Sequence, residues 1–492
     1  MIKCSGLALA CASFAIAATC DNLGSLSLPN TTISLAREVA PGEFRLPDGA
    51  SAQLFTNLPA FCRVAATLKP TTDSDIKIEV WMPVSGWNSK LVAVGNGGWS
   101  GAINYASMSQ MLSHGYATAS TDTGHEGGEA KFALGHPEKL IDFASRSEHE
   151  LTVKAKAIVA AFYGNDAKRS YWFGCSSGGK QGLMEAQRYP RDYDGIVAGA
   201  PANYWTHLMF GDMWPGEVTL TNPARHLSPE KFAVLHKAAI AACDAQDGVT
   251  DGVLGDPTRC RFDPGSLECK GPDGPACLTQ PQIESARKIY QGPVNPRTRK
   301  QIFPGLEPGS ELGWGALAGG PKPFGIVDGY FRYVLFQNPD WDFRTLNFDK
   351  DVAEADRRDA KILNATDPDL KDFVSHGGKL FLYHGWNDQL IAPRNTINYY
   401  SSVVKKMGPK ITDSVRLFMA PGMNHCSGGD GPFRFDQVSA LDEWVEKGTA
   451  PERVIASHPS GRTRPLCPYP QVAKYNGSAS TDDAANFVCT AP

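Results

Sequence analysis

The segment Gly174-Cys175-Ser176-Ser177-Gly178 matches G-x-S-x-G, the pattern of a serine nucleophile carried on a sharp strand-to-helix turn. A serine at its ordinary pKa is a weak nucleophile, so the chemistry also needs a base within hydrogen-bond reach and an acid to orient that base. On open α/β sheets of this kind the three follow in chain order Ser, Asp or Glu, His. Asp388 closes the stretch H-G-W-N-D and His425 closes P-G-M-N-H-C, which gives that order. Ser176, Asp388 and His425 together predict acyl transfer through a covalent acyl-enzyme. The competing reading of the motif alone is a turn without catalysis, and the strand before it and the helix after it weigh against that. His384, the chief rival histidine, precedes the acid and is expected either on the wall of the substrate pocket or in loop packing. His114, His125, His136 and His149 read as surface or structural groups. Cys175 precedes the serine and Cys426 follows the histidine. If Ser176 and His425 meet, these cysteines come within disulfide range, and a bond would restrain the base; the alternative is that both pair elsewhere.

A strand, a glycine-rich turn and a helix must position the serine. Y-W-F-G-C runs into S-S-G-G-K-Q-G, then a helical stretch to Arg188 and a short strand G-I-V-A-G-A. Upstream, the alternation Ile76 to Trp81 suits a half-buried strand, and Leu91 to Val94 suits a buried one that ends in G-N-G-G-W-S-G. Between them and the serine, Leu151, Ala155, Ile158, Val159 and Phe162 recur at the spacing of one helix face. Further strands are expected within Gly377 to Asp388 and Val415 to Cys426. Strands alternating with helices predict a mostly parallel sheet covered on both faces. Gly174 to Lys180 also fits the opening of a phosphate-binding loop, but Gln181 stands where a magnesium-binding hydroxyl is required.

From about Tyr204 to Lys350 the alternation stops, giving way to short helices, four cysteines and many Gly and Pro, the mark of an inserted subdomain. There C-D-A-Q-D-G-V-T-D-G-V brings Asp244, Asp247 and Asp251 within eight residues. Three carboxylates so crowded predict either an all-oxygen calcium site or a plain acidic turn; no Glu at the twelfth position makes an EF-hand.

The chain has 492 residues, 42% of them hydrophobic and 20% charged, with a formal charge of −4 and pI ≈ 6.3. That is a folded globular composition without the basic footprint of a nucleic-acid binder. Residues 1–18 read as a secretory signal peptide, cleaved near Ala17 or Ala18, with a membrane anchor, a buried helix or acylation at Cys11 as the alternatives. Cleavage would leave ten cysteines, an even count that suggests five disulfides in a secreted or periplasmic protein. No membrane association is expected after cleavage. Sequons begin at Asn30, Asn364 and Asn476.

G-C-S-S-G-G and M-N-H-C, with H-G-W-N-D between them and G-N-G-G-W-S-G upstream, resemble the tannase and feruloyl esterase family. The resemblance covers nearly all of the mature chain. It implies an α/β-hydrolase fold made of residues 19–203 and 351–492, with a large inserted, calcium-binding lid domain over 204–350. It further implies Ser176 as nucleophile, Asp388 as acid, His425 as base, and a Cys175 to Cys426 bridge. The oxyanion hole would use the backbone N–H groups of Gly98 and Ser177, and Gly98, His384 and Ile391 would border the substrate. Ser177 takes a place that varies in the family, often Thr or an acid. The implied calcium ligands are the side chains of Asp244, Asp247 and Asp251 and the carbonyls of Val249 and Val253; no organic cofactor is implied. The further cysteine pairs expected are Cys243 with Cys260, Cys269 with Cys277, Cys467 with Cys489, and Cys20 with Cys62. The activity implied is hydrolysis of feruloyl, other hydroxycinnamoyl or galloyl esters, free or on plant polysaccharide or polyphenol, or of mono(2-hydroxyethyl) terephthalate. Trp214, Phe324, Tyr330 and Phe331 are candidates for the acyl-pocket wall, with insert core as the plainer reading. An exported calcium-binding protein without activity and a serine peptidase are the readings from other classes.

Overall fold

The computed structural model describes residues 18–47, 49, 53–477 and 479–492. The expected signal segment, with Cys4 and Cys11, lies outside the described residues except for Ala18. One nine-stranded sheet organises the chain, in the order β1-β2-β3-β5-β4-β6-β7-β8-β9. The strands are β1 (Thr31–Val39), β2 (Phe61–Leu68), β3 (Ile76–Pro83), β4 (Lys90–Val94), β5 (Ala117–Thr121), β6 (Arg169–Cys175), β7 (Gly195–Gly199), β8 (Lys379–Gly385) and β9 (Val415–Ala420). The pairs from β5 through β4 to β9 are parallel, and those joining β1, β2, β3 and β5 are antiparallel.

Alternate residues of the parallel strands feed two separate cores, as the period of two requires. Leu91, Ala93, Trp172, Ile196, Ala198, Leu380 and Leu382 pack toward the helices Ser147–Tyr163, Ser177–Arg188 and Pro393–Met407. Val92, Val94, Tyr171, Val197 and Phe381 face the helices Tyr105–Ser113 and Gln437–Lys447 on the other side. Polar helix faces therefore meet water, while strands such as L-V-A-V are buried on both faces and read as continuous apolar runs.

Between β7 and β8 the described chain forms no strand of the sheet. This insert packs around Trp205, Phe210, Leu235, Ile283, Trp314 and Phe331, in a core that Trp99 and Phe143 of the flanking chain share. Val352, Ala355 and Leu363, on the helices Lys350–Arg358 and Ala360–Leu363, join this core, as Phe143 and Ile391 do from either side of the insert. Among the described residues five disulfides join Cys20–Cys62, Cys175–Cys426, Cys243–Cys260, Cys269–Cys277 and Cys467–Cys489. Such a set suits an oxidising compartment. Among the described residues no helix is long and apolar enough to cross a membrane.

Candidate active site

Register puts the carboxyl ends of four parallel strands side by side. Cys175 lies opposite Gly199, Gly199 opposite Tyr383, and Gly385 opposite Ala420. The loops leaving those ends carry Ser176, Asp388 and His425, and the loop after β4 carries Gly98. This is the edge of an open α/β sheet where ligands bind.

Ser176 sits between β6 and the helix Ser177–Arg188 at φ 62°, ψ −123°, a conformation that costs an L-residue on the order of 1–3 kcal/mol. Its N–H donates to Gly199 O (2.9 Å), and its carbonyl accepts from Lys180 N and Ala202 N, so the surrounding backbone holds the strained turn in place. Gly174 is required by close approach: a Cβ there would lie 2.4 Å from the Gly178 carbonyl. Lys180, the lysine of the phosphate-loop match, is fully buried 4.8 Å from the Phe143 ring centre and 5.2 Å from that of Trp205. It has no route to a phosphate. Gln181 instead ties the β4 loop to this helix, accepting from Asn96 N (3.0 Å) and donating to Asn96 Oδ1 (3.2 Å) and Glu148.

Asp388 is fully buried and accepts four hydrogen bonds. Its Oδ1 takes Leu390 N and Ile391 N, both at 2.8 Å; its Oδ2 takes His425 Nδ1 at 2.8 Å and His384 Nε2 at 3.0 Å. Burial pushes the carboxyl up, but attraction to His425 and the hydrogen bonds from both imidazoles outweigh it and hold Asp388 well below the usual carboxylate range. The same pairing acts in reverse on His425, where burial lowers the pKa and Asp388 raises it by more, for a net rise above the ordinary 6.5. With Nδ1 bound to the acid, Nε2 of His425 is left for another group; among the described residues neither it nor Ser176 Oγ has a hydrogen-bond partner. Such contacts commonly close only in the substrate complex.

The loops of Ser176 and His425 are covalently joined. Cys175 and Cys426 form a disulfide with a Cα separation of 5.9 Å, and Cys426 is itself at φ 62°. The bond thus holds one residue next to the serine against one next to the histidine.

Gly98, at φ 53°, and Ser177, the first residue of its helix, carry the two N–H groups expected to face a developing oxyanion. Among the described residues neither N–H has an acceptor. A Cβ on Gly98 would stand 2.8 Å from Ile326 Cδ1 of the insert, so the insert borders this loop.

His384 and Ile391 are both buried and hydrogen-bonded around the acid. His384 is fully buried behind Asp388, with Nδ1 against Thr396 Oγ1 (2.7 Å) and Nε2 also directed at Ile391 O (3.0 Å). Ile391, 3% exposed, clamps the acid through its N–H and the second imidazole through its carbonyl. Tyr330 and Phe331 are insert core, fully buried, with the Tyr330 hydroxyl on Asp359 Oδ2 (2.9 Å). Trp214 and Phe324 are partly buried against the same core. The His384 to Thr396 contact joins a strand to the helix Pro393–Met407, and no local motif signals it. His125, read as structural, donates from Nε2 to Trp99 O (2.8 Å) beside the oxyanion loop.

On the insert, Asp244, Asp247 and Asp251 occupy one turn closed by Cys243–Cys260. Asp244 accepts Gly252 N (2.9 Å), Asp247 accepts Val249 N (3.0 Å), and Asp251 accepts Val253 N (3.1 Å) and pairs with Arg464. Burial first, then repulsion from Asp251 and Asp244, pushes Asp247 up to about 6. The donors are of the all-oxygen type that calcium takes. Their oxygens do not all lie within 4.8 Å of one another; among the described residues that convergence is reached only by His149, Glu185 and Asp192, where His149 Nδ1 bonds Asp192 at 2.6 Å. Closing the three aspartates on one ion therefore needs side-chain rotation.

The sequence pattern of the tannase and feruloyl esterase family matches residues 62–490. An uncharacterized esterase of Xanthomonas campestris is 40% identical over 96% of this chain and 91% of its own. A probable feruloyl esterase B-2 of Aspergillus oryzae is 33% identical over 94% of this chain and 93% of its own. The crystal structure of feruloyl esterase B from Aspergillus oryzae superposes with a TM-score of 0.89 at 28% identity, covering 96% of this chain and 99% of the other.

Proposed function

The chain belongs to the tannase and feruloyl esterase family and is a carboxylic ester hydrolase, and from that premise we propose that it cleaves esters of aromatic acids, feruloyl or other hydroxycinnamoyl and galloyl esters, through an acyl-enzyme on Ser176. The observation that carries the reading is the Asp388 to His425 hydrogen bond of 2.8 Å on a loop cross-linked to the Ser176 turn.

Ser176 Oγ attacks the ester carbonyl carbon as its proton passes to His425 Nε2. Buried, ionised Asp388 keeps the proton of Nδ1 on the far side of the ring and stabilises the imidazolium. The N–H groups of Gly98 and Ser177 receive the oxyanion; each such donor is worth about 3–4 kcal/mol of barrier where it has been tested. The C–O bond to the alcohol breaks as His425 returns its proton to that oxygen. Water, deprotonated by His425, then attacks the acyl-enzyme, releases the aromatic acid and restores Ser176. His384 acts on Asp388, not on substrate.

The ester is a small molecule, presented free or at the edge of a plant polysaccharide or polyphenol. Calcium, held by Asp244, Asp247, Asp251 and the carbonyls of Val249 and Val253, would neutralise the crowded carboxylates and stiffen the insert; it takes no part in the reaction. Secretion or periplasmic export is supported by the five disulfides.

The test is turnover of methyl ferulate, methyl p-coumarate and methyl gallate by wild type and Ser176→Ala. Turnover of at least one, abolished in the variant, is expected. Equal inactivity of both folded proteins on all three would overturn the reading.

A further inference from the structure

The side chain of Ser177 has a second role beside that of its N–H. Its hydroxyl donates to the carbonyl of Gly98 at 2.9 Å, and the residue is only 2% exposed, so the rotamer is held by packing. The two halves of the oxyanion hole come from segments 79 residues apart in sequence, and this bond joins them directly.

Successive carbonyls of the Gly98 loop are each fixed. Gly97 O accepts Ser100 N at 2.9 Å, Gly98 O accepts Ser177 Oγ, and Trp99 O accepts His125 Nε2 at 2.8 Å. In a trans peptide the N–H points opposite to the preceding C=O. The Ser100 bond therefore turns the Gly98 N–H away from the loop, and the Ser177 bond fixes the next peptide plane across a φ of 53° that glycine adopts without restraint. Of the three, only the Ser177 bond originates in the helix that supplies the other donor.

We propose that the Ser177 hydroxyl is a positioning group for the oxyanion hole, setting the distance and angle between the Gly98 and Ser177 N–H donors. The inference rests on the esterase reading above. The bond is made in the free protein, so the hole is built before substrate arrives, which is the condition under which oriented dipoles lower a barrier without reorganising. It also gives a physical reason for a hydroxyl-bearing residue where only a backbone N–H is needed for the chemistry.

The experiment compares Ser177→Ala, Ser177→Thr and Ser177→Val with wild type on methyl ferulate or whichever aromatic ester is turned over, together with binding of phenylboronic acid, which forms a tetrahedral adduct on the serine. Ser177→Ala is expected to lower kcat by about tenfold, less than the full loss of a donor, with KM within about twofold. Boronate affinity is expected to fall by the same factor as kcat. Ser177→Thr retains the donor and is expected to recover most of the loss, whereas Ser177→Val, of the same shape without the hydroxyl, is not. Ser177→Ala with kcat and boronate affinity both within about twofold of wild type would overturn the proposal. So would equal activities of the Thr and Val variants, or a fall in Tm with kcat and KM changing together, which would mark packing alone. Failure of the parent reading would show in the wild type, as turnover no greater than that of Ser176→Ala.

Discussion

Replacing Cys175 and Cys426 together by alanine removes the one covalent link between the serine turn and the histidine loop. The bridge closes a separation of 251 residues, for which the chain-entropy relation gives about 5.5 kcal/mol at 25 °C. Measured bridges usually return less, so a loss of roughly 3–5 kcal/mol is expected. At about 2.1 cal/mol/K of unfolding entropy per residue, a chain of 492 residues loses about 1 °C of Tm per kcal/mol, and Tm should fall by about 3–5 °C. The kinetic loss has a different origin. Ser176 and Cys426 both stand at φ 62°, and without the bond the Cys426 loop can relax and carry His425 away. A displacement of about 1 Å at a reacting group costs up to about 100-fold, so kcat is expected to fall by about 10- to 100-fold with KM little changed. The control is Cys467→Ala with Cys489→Ala, a bridge spanning 22 residues away from the site, worth about 3.4 kcal/mol by the same relation. That variant should lose Tm and keep kcat. The assay is steady-state hydrolysis of an aromatic methyl ester alongside thermal unfolding. If the Cys175 and Cys426 variant keeps kcat within about twofold, or both bridge variants lose kcat alike, the argument that this bond positions the base is wrong.

Because the net effect of burial and Asp388 raises His425, and His425 must be neutral to accept a proton, kcat/KM is expected to rise with pH through an apparent pKa above 6.5. Asp388→Asn should lower kcat by about 10⁴-fold and move that limb downward, since burial then acts on His425 alone; a pH–rate profile of both proteins checks it, and an unmoved limb would count against the pairing. Chelation by EGTA should lower Tm, and added calcium should restore it with the same kcat for the active fraction. Asp247→Asn should reduce the calcium response. A Tm indifferent to both additions would exclude calcium from the insert.

The strand pattern and the site motif were legible for one reason: both are local. L-V-A-V, Y-W-F-G-C and K-L-F-L-Y-H-G are apolar runs because central parallel strands are buried on two faces, and G-x-S-x-G needs Gly174 for its close approach to Gly178 within the motif, although Gly178 itself packs against Gly95 and Asn96 of the β4 loop. Order along the chain then picked out Asp388 and His425. The edge strand β1 escaped notice, since Thr31–Val39 alternates irregularly around a bulge between Ile33 and Leu35.

What the sequence determined by itself was the set of reactive residue types, their order, and an even number of cysteines. Tertiary structure alone decided that His384 hydrogen-bonds the acid, that Gln181 and the Ser177 hydroxyl bind the oxyanion loop to the nucleophile's helix, and that Ile391 clamps Asp388. Each of these is a hydrogen bond of directed, short-range geometry. Hydrophobic burial leaves a periodic trace along the chain, whereas a hydrogen bond between distant segments leaves none, because its partners meet only when the strands have taken their register.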